Sequence, residues 1–361
     1  MTIFESTFVF FEYIYHMKYF SKRYLYAQNL IYNYKYLCKK SGHKIIAVVK
    51  ANAYGHGEKQ ITKILSPYCD FFATENLDEA LVIRKMNKHV KILILGYCAD
   101  YPCAGDNDIA ITCDNLEQIK KIQQCDKKAK IHLKINTGMN RLGLKSLRQF
   151  TKILKYLKDN DKIILEGIFT HFFDTSSKEI TYAQIDIFKK YLHILKKYNF
   201  NDIIIHVGGS GAINYDVDFV NYIRCGIALY GYFYPGMKPV QTIESQVIKI
   251  TRVKRGEFVG YGQCKIKRNI KVAVIPLGYA DGLPRHFEKL YVLYGKTKCP
   301  VVGKICMDMF MVDISHTKLK VGEFVKVFFD ASLWAKGDYT EYNVLTALNN
   351  CRANTFIVVE K

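Results

Sequence analysis

The feature that most constrains this chain is an alternation of short apolar segments with helical patterns over its first two thirds. Eight of these segments have the apolar, β-branched composition of strands that are buried on both faces. Their number and order predict a (β/α)8 barrel, a fold whose active sites lie at the C-terminal ends of the strands. The predicted strands are 45–49, 70–73, 90–95, 108–113, 130–135, 162–170, 202–207 and 226–232.

The pattern changes at Pro235 and Gly236, and this change predicts a domain boundary. Beyond it, short apolar or alternating runs follow one another with turn residues between them, and a helix is predicted at 340–348. We therefore expect an α/β chain with a TIM barrel over 21–235, followed by a smaller, mostly β domain over 236–361.

Residues 1–20 begin with an aromatic-rich stretch, 1–15, that includes two glutamates and lacks the basic region that begins a signal peptide. We expect them to be an N-terminal extension or a strand that docks on the β domain. No later segment contains the 18 consecutive apolar residues that suggest a transmembrane helix, so we expect no membrane association.

Composition excludes several other classes of protein. The formal charge of +20 comes from basic residues that fall singly or in pairs on predicted helices, without a nucleic-acid-binding signature, so we expect no nucleic-acid partner. The eleven cysteines are odd in number and lack the spacing of zinc ligands. They predict reduced thiols, no metal site and a cytoplasmic location.

Lys50 lies where the first predicted strand ends, in the run AVVKANAYGHG over 47–57. Burying an ammonium group is unfavourable unless the group is paired, or unless its nitrogen forms an imine with a carbonyl cofactor. The small residues after Lys50 allow the backbone to approach a ligand, and Tyr54 offers it a hydroxyl group. For an isolated lysine, a side chain that extends to solvent is the alternative interpretation.

This run and five further segments, in order between about 40 and 315, resemble motifs of the alanine racemases. The resemblance implies a pyridoxal 5′-phosphate (PLP) enzyme that interconverts L-alanine and D-alanine, an amino-acid substrate, by proton transfer at Cα. It also implies a role in supplying D-alanine for peptidoglycan. The segments are KANAYGHG (50–57), KINTGMNRLG (134–143), TH (170–171), RCGIALYG (224–231), GYADG (278–282) and GKICMD (303–308).

The resemblance implies that Lys50 carries the cofactor. Ser210 lies in a Gly-Gly-Ser-Gly turn after the seventh predicted strand, and barrels commonly bind phosphate in the loops after strands seven and eight. The run 348–354 lacks the tyrosine that the family has near its C-terminus, and Asn349 is the candidate substitute. The residues implied to hold the phosphate are Tyr54, Ser210, Gly226 and Ile227.

Other family roles concern the cofactor ring and the substrate. Arg224 is implied to face the pyridine nitrogen. Because arginine only donates hydrogen bonds, this nitrogen would stay unprotonated. The cofactor ring would then be a weaker electron sink, which favours racemisation. Arg141 is implied to bind the substrate carboxylate, to which its planar guanidinium is complementary. Lys134 is a candidate for carbamylation, which would make it an anionic partner for Arg141. Asn136 replaces the usual aspartate.

Racemisation removes a proton from one face of a carbon and returns one to the other, so two bases on opposite faces meet the requirement. The family implies that Lys50 and Tyr279 are these bases and that His171 hydrogen-bonds the tyrosine, with Arg224 beyond it. It also implies a homodimer in which Tyr279 comes from the other subunit and Met307 contributes backbone to the shared site.

Two alternatives remain open from the sequence. A broad-specificity amino-acid racemase on the same scaffold would differ in the size of its pocket. A PLP-binding protein without catalytic activity would consist of a barrel alone, and the predicted β domain with Tyr279 argues against it.

Overall fold

The structure is a computed structural model that describes residues 19–125, 127–262, 264–285 and 290–359. Almost all of the predicted extension 1–20 lies outside the described residues. The first elements are strand β1 (Ser21–Tyr26) and helix α1 (Ala27–Ser41). Strand β1 joins the sheet of the second domain, which it enters between two strands from the C-terminal part of the chain.

Eight parallel strands then close a barrel in the order of the chain, which confirms the predicted fold class. Their side chains are almost entirely buried, as the apolar composition predicts. The strands are β2 (Lys44–Val48), β3 (Phe71–Thr74), β4 (Lys91–Ile94), β5 (Ala110–Cys113), β6 (Ala129–Ile135), β7 (Ile163–His171), β8 (Ile204–Gly208) and β9 (Tyr222–Cys225).

Helices connect most of the barrel strands. Several begin where an Asn or Ser side chain accepts a hydrogen bond from a backbone N–H in the first turn, as Asn76 does from Glu79. These connections are a left-handed turn, α2 (Lys50–Gly55), and the helices α3 (Glu58–Leu65), α4 (Leu77–Met86), α5 (Tyr101–Asp106), α6 (Leu116–Gln123), α7 (Leu147–Lys158) and α8 (Lys178–Lys197).

The last barrel strand differs from its prediction. The apolar run 226–232 was predicted as strand eight, but the strand is β9, and Ile227–Tyr230 forms a buried 3₁₀ turn. Gly226, with φ −112° and ψ −92°, ends the strand. A 3₁₀ turn at Ser210–Asn214 and irregular chain form the connection between β8 and β9. Arg224 therefore points from a strand inside the barrel.

In the described residues, the second domain is a nine-stranded sheet made of β1 and of strands β10 (Gln241–Gln246), β11 (Lys249–Val253), β12 (Ile270–Ile275), β13 (Tyr291–Tyr294), β14 (Thr297–Val302), β15 (Phe310–Asp313), β16 (Phe324–Phe328) and β17 (Asn354–Val358). The apolar run 243–250 is divided between β10 and β11, and Phe258 forms only an isolated bridge with Lys265. The strand order is β11-β12-β15-β14-β13-β16-β10-β1-β17, and helix α9 (Glu341–Ala347) precedes β17 in the chain.

All eleven cysteines lie among the described residues, and all are free thiols. Within the described ranges, every helix is too short or too polar to cross a lipid bilayer.

Candidate active site

The C-terminal ends of the barrel strands surround a cavity of about 500 Å³. Nine of the eleven predicted site residues line it, whereas Tyr279 and Met307 lie on the second domain, outside it. The barrel therefore brings together side chains that are far apart in sequence. The nine residues are Lys50, Tyr54, Lys134, Arg141, His171, Ser210, Arg224, Gly226 and Ile227.

Lys50 extends into this cavity from the end of β2. Its Nζ lies 2.7 Å from Oε2 of Glu75, which follows β3 and is not among the predicted site residues. Among the described residues that line the cavity, Glu75 is the one carboxylate, and it partly balances the charges of three other cations there, Lys134, Arg141 and Arg224. Both partners are partly exposed, so the pair contributes little to stability and acts mainly on the charge of the cavity.

The turn after Lys50 has an uncommon backbone. Residues Ala51–Tyr54 all have left-handed φ angles, between 51° and 53°, and each such non-glycine residue costs roughly 1–2 kcal/mol. The Asn52 side chain holds the turn: its Oδ1 accepts the N–H of Glu58 (2.8 Å), and its Nδ2 donates to Oδ1 of Asn349 (2.6 Å). The second domain thus helps to fix the turn that follows the lysine.

Replacing Gly55 with alanine should lower the free energy of unfolding by at least about 2 kcal/mol. Gly55 has φ +75°, and an added methyl group would collide with the Leu345 carbonyl on α9. Gly42→Ala is a matched control, because Gly42 has φ +69° with nothing within 4 Å of an added methyl; it should cost about 1 kcal/mol. Urea unfolding measures both values, and equal losses would contradict the close packing of α9 on this turn.

One end of the cavity has unused hydrogen-bond donors. Ser210 Oγ is buried without a hydrogen-bond partner among the described residues, which costs about 1–3 kcal/mol unless a ligand accepts from it. The Tyr54 hydroxyl lies against Gly226 at the point where a Cβ would collide with it. Burial raises the pKa of Tyr54, so its hydroxyl stays protonated and can donate. The hydroxyl groups of Ser210 and Tyr54 can therefore donate hydrogen bonds to the oxygens of a phosphate.

Tyr342, which is not among the predicted site residues, also lines the cavity. It lies on α9, and its ring centroid is 6.1 Å from that of Tyr54. Asn349, the proposed substitute for a C-terminal tyrosine, instead bonds Asn52. The sequence contains one pattern that could have indicated Tyr342. Tyr342 and Thr346 are spaced i, i+4 on the helix predicted at 340–348, so they share one face, and both line the cavity.

Arg224 is buried on β9 beside the cavity. Its guanidinium donates to the Thr170 carbonyl and to His206 Nδ1, each at 2.8 Å, and lies 3.5 Å from His171 Nδ1. Burial lowers the pKa of Arg224 to about 9. Burial, followed by the charge of Arg224 and other cations, lowers the pKa of His171 to about 3. The imidazole is therefore neutral at pH 7, and because Nδ1 faces a donor, its proton is on Nε2.

Lys134 and Arg141 lie on another side of the cavity. Burial, followed by the charges of Arg224 and Arg141, lowers the pKa of Lys134 to about 8. No hydrogen bond or ion pair joins the Arg141 side chain to a described residue, so its donors are free for an anionic ligand. Asn136 Oδ1 accepts the backbone N–H of Gly138 at 2.9 Å, so this residue shapes the turn before Arg141.

Tyr279 and Met307 lie together on the second domain. The N–H of Tyr279 donates to the Cys306 carbonyl and that of Ala280 to the Met307 carbonyl, each at 3.0 Å. Tyr279 is 37% exposed and Met307 54% exposed. The two residues therefore share an exposed surface that is separate from the cavity of their own chain.

Comparisons with known proteins agree along nearly the whole chain. The models of "Alanine racemase, N-terminal domain" and "Alanine racemase, C-terminal domain" match residues 26–235 and 240–355. The alanine racemase of Helicobacter pylori strain J99 is 34% identical over 343 residues, covering 88% of this chain and 90% of its own. That of Lactobacillus gasseri is 33% identical over 338 residues, covering 86% and 89%.

Solved structures give the same result. The alanine racemase of Clostridium difficile 630 is 32% identical with a TM-score of 0.85, covering 91% of this chain and 93% of its own. That of Bartonella henselae, described with covalently bound pyridoxal phosphate, is 26% identical with a TM-score of 0.82, covering 94% and 99%. Because both domains match in sequence and in fold, the chain belongs to the alanine racemase family.

Proposed function

We propose that this chain interconverts L-alanine and D-alanine with PLP as its cofactor. The observation that carries the proposal is the convergence of Lys50 and eight other predicted site residues on one cavity, in a chain that matches both domains of the family. PLP supplies an aldehyde that condenses with amines and a ring that withdraws electrons from the carbon bearing the amine, which acidifies the hydrogen on that carbon.

The residues at the donor-rich end of the cavity fit the phosphate of this cofactor. The unpartnered Ser210 hydroxyl and the Tyr54 hydroxyl would donate to it, with Gly226 and Ile227 leaving space for it at the end of β9. We add Tyr342 to this set, because it lines the cavity beside Tyr54. Lys50 would carry the cofactor.

Two arginines of the cavity would bind the substrate carboxylate and set the protonation state of the cofactor ring. Arg141 has free donors and would bind the substrate carboxylate bidentately. Arg224 presents a protonated guanidinium, which would leave the pyridine nitrogen unprotonated and the ring a weaker electron sink.

We propose that the neutral amine of Lys134 reacts with CO2. The reaction forms an N–C bond, releases one proton from the nitrogen and gives a carbamate anion that faces Arg141. With a pKa of about 8, half of the amine is neutral at pH 8 but only about one part in a hundred at pH 6. In ¹³C-bicarbonate we expect a carbamate signal in the ¹³C NMR spectrum at pH 8, absent from Lys134→Ala. An identical signal in that variant would contradict the assignment to Lys134.

Lys50 and Tyr279 would act as the two bases. The Lys50 amine would take or return a proton at Cα on one face, and the Tyr279 phenolate on the other. A phenol has an unperturbed pKa of about 10 and needs a donor that stabilises its anion. His171 carries its proton on Nε2, so it would donate to Tyr279 while Arg224 fixes its other nitrogen.

The position of Tyr279 supports a homodimer with shared sites. Tyr279 does not line the cavity of its own chain, so a partner subunit would bring its own copy, with Met307, to that cavity. The face around Met307 carries an open apolar groove, in which Phe258 and Tyr261 are 60% and 65% exposed. Exposed apolar surface of this kind is typical of protein–protein contacts.

We further propose a cytoplasmic enzyme that supplies D-alanine for peptidoglycan. The eleven free thiols are typical of a reducing compartment.

A racemisation assay with L-alanine, D-alanine and L-serine tests the proposed function. We expect turnover of both alanine enantiomers with equal kcat/KM, because enantiomers have equal free energies. Turnover of L-serine should be much slower. Equal or faster turnover of L-serine would favour the broad-specificity alternative, and the absence of turnover for all three would refute a racemase.

A further inference from the structure

A chain of hydrogen bonds runs through the barrel away from the cavity. Arg224 Nη1 lies 2.8 Å from His206 Nδ1, His206 Nε2 lies 2.8 Å from His132 Nδ1, and His132 Nε2 lies 3.0 Å from Glu166 Oε2. Both imidazoles and Arg224 are almost completely buried. Of these four residues, which we name the barrel chain, only Arg224 lines the cavity.

The direction of every hydrogen bond in the barrel chain follows from its first member. Arginine has only donors, so His206 Nδ1 must accept and its proton lies on Nε2. That proton is donated to His132 Nδ1, which leaves the proton of His132 on Nε2, where the Glu166 carboxylate accepts it. Both imidazoles are then neutral, with a cation at one end of the chain and an anion at the other.

The backbone is shaped to admit these side chains. The pairing of β6 with β7 shifts register at Glu166, so that His132 is opposite Gly167 and Glu166 is the extra residue of a bulge. A Cβ on Gly167 would collide with the His132 ring, and one on Gly208 would collide with the Arg224 guanidinium.

The rings and charges around the barrel chain hold it in place. The ring of Phe169 stacks on that of His206, with centroids 4.7 Å apart and planes at 15°. The guanidinium carbon of Arg224 also lies over the Phe169 ring, 4.6 Å from its centroid. At the far end, Lys91 and Lys130 lie 4.0 and 3.9 Å from Glu166. Burial alone would raise the pKa of the Glu166 carboxyl, but the hydrogen bond from His132 and these lysines lower it, so it stays ionised.

We infer that Glu166 is a positioning residue: through the neutral imidazoles of His132 and His206, it fixes the orientation and the donor direction of Arg224. Its effect on the reaction rests on the proposed function, in which Arg224 faces the pyridine nitrogen. The barrel chain itself is independent of that function. Without an acceptor at position 166, nothing holds the His132 proton on Nε2. If that proton moved to Nδ1 of His132, the proton of His206 would have to move to its own Nδ1. His206 Nδ1 would then present a donor to the guanidinium of Arg224, which is also a donor.

Long-range ¹H–¹⁵N NMR of the ¹⁵N-histidine-labelled protein, as purified, tests the barrel chain directly. Signals are assigned by comparison with His132→Gln and His206→Gln proteins. We expect both residues to be neutral with the proton on Nε2 at pH 7. An imidazolium, or a proton on Nδ1 of either residue, would overturn the inference, even if the protein proves to be an active racemase.

Two substitutions of Glu166 distinguish the effect of its hydrogen-bond acceptor from the effect of its negative charge. Glu166→Leu removes the acceptor: we expect loss of the fixed His132 tautomer and a fall in kcat of roughly tenfold or more, with KM for alanine within about twofold of wild type. Glu166→Gln keeps an acceptor oxygen, so the tautomers and most of kcat should return. Glu117→Gln, on an exposed helix face, is the matched control and should change neither.

If Glu166→Leu changes neither tautomer nor kcat, Glu166 is not a positioning residue. If the wild-type protein has the expected tautomers but racemises nothing, the proposed function fails and the barrel chain stands.

Discussion

Substituting Lys50 with alanine is expected to lower racemisation by roughly 10⁴-fold or more. The change removes both the amine that would carry the cofactor and one of the two proposed bases. Lys50 Nζ projects into the cavity from the end of β2, and the other lysine there, Lys134, lies on a different strand. The loss should therefore not be compensated within the site.

The measurement combines racemisation with the mass of the protein after borohydride reduction, which makes a lysine-bound cofactor permanent. The wild-type protein should gain one pyridoxyl phosphate per chain, and Lys50→Ala none. Lys44→Ala is a matched control from the other end of the same strand, where Lys44 pairs with Asp70 at 3.0 Å. It should keep both the adduct and the activity. A stable adduct in Lys50→Ala would place the cofactor on another lysine.

Most of the barrel could be predicted because buried parallel strands require continuous apolar runs and connecting helices, and both are local patterns. The eighth strand could not, because Tyr222–Cys225 is short and contains Arg224, a residue that normally indicates a surface. Its burial depends on Gly208 and on acceptors such as Thr170 from neighbouring strands. Such tertiary compensation has no signal in the local sequence.

The site shows the same division. That residues in motifs line one cavity could be predicted because their neighbours identify them, as with Lys50 and Arg141. Glu75 and Tyr342 were not predicted because they lie outside the motifs and reach the cavity through the packing of whole elements. Glu75 still follows the rule that functional side chains occur at the C-terminal ends of barrel strands, so that rule, applied to every strand, would have selected it.

Mixing two inactive variants is expected to restore activity if each site is shared between subunits. Tyr279→Phe alone should lose roughly 10²–10⁴-fold in kcat, because it removes one base. It keeps the ring that packs against the Arg285 guanidinium, whose carbon lies 5.5 Å from the ring centroid, so the fold should be preserved. Lys50→Ala disables the other base. In a homodimer with shared sites, each cavity combines Lys50 from one subunit with Tyr279 from its partner.

Random reassociation of equal amounts of Lys50→Ala and Tyr279→Phe subunits makes half of the dimers mixed. In each mixed dimer, one site carries both substitutions and the other carries neither. The mixture should therefore recover roughly a quarter of wild-type activity. If each site used both residues of one subunit, no intact site would form, and the mixture would remain inactive. Activity after unfolding and refolding the two variants together, compared with refolding them separately, distinguishes these results. The separately refolded proteins control for recovery of the fold.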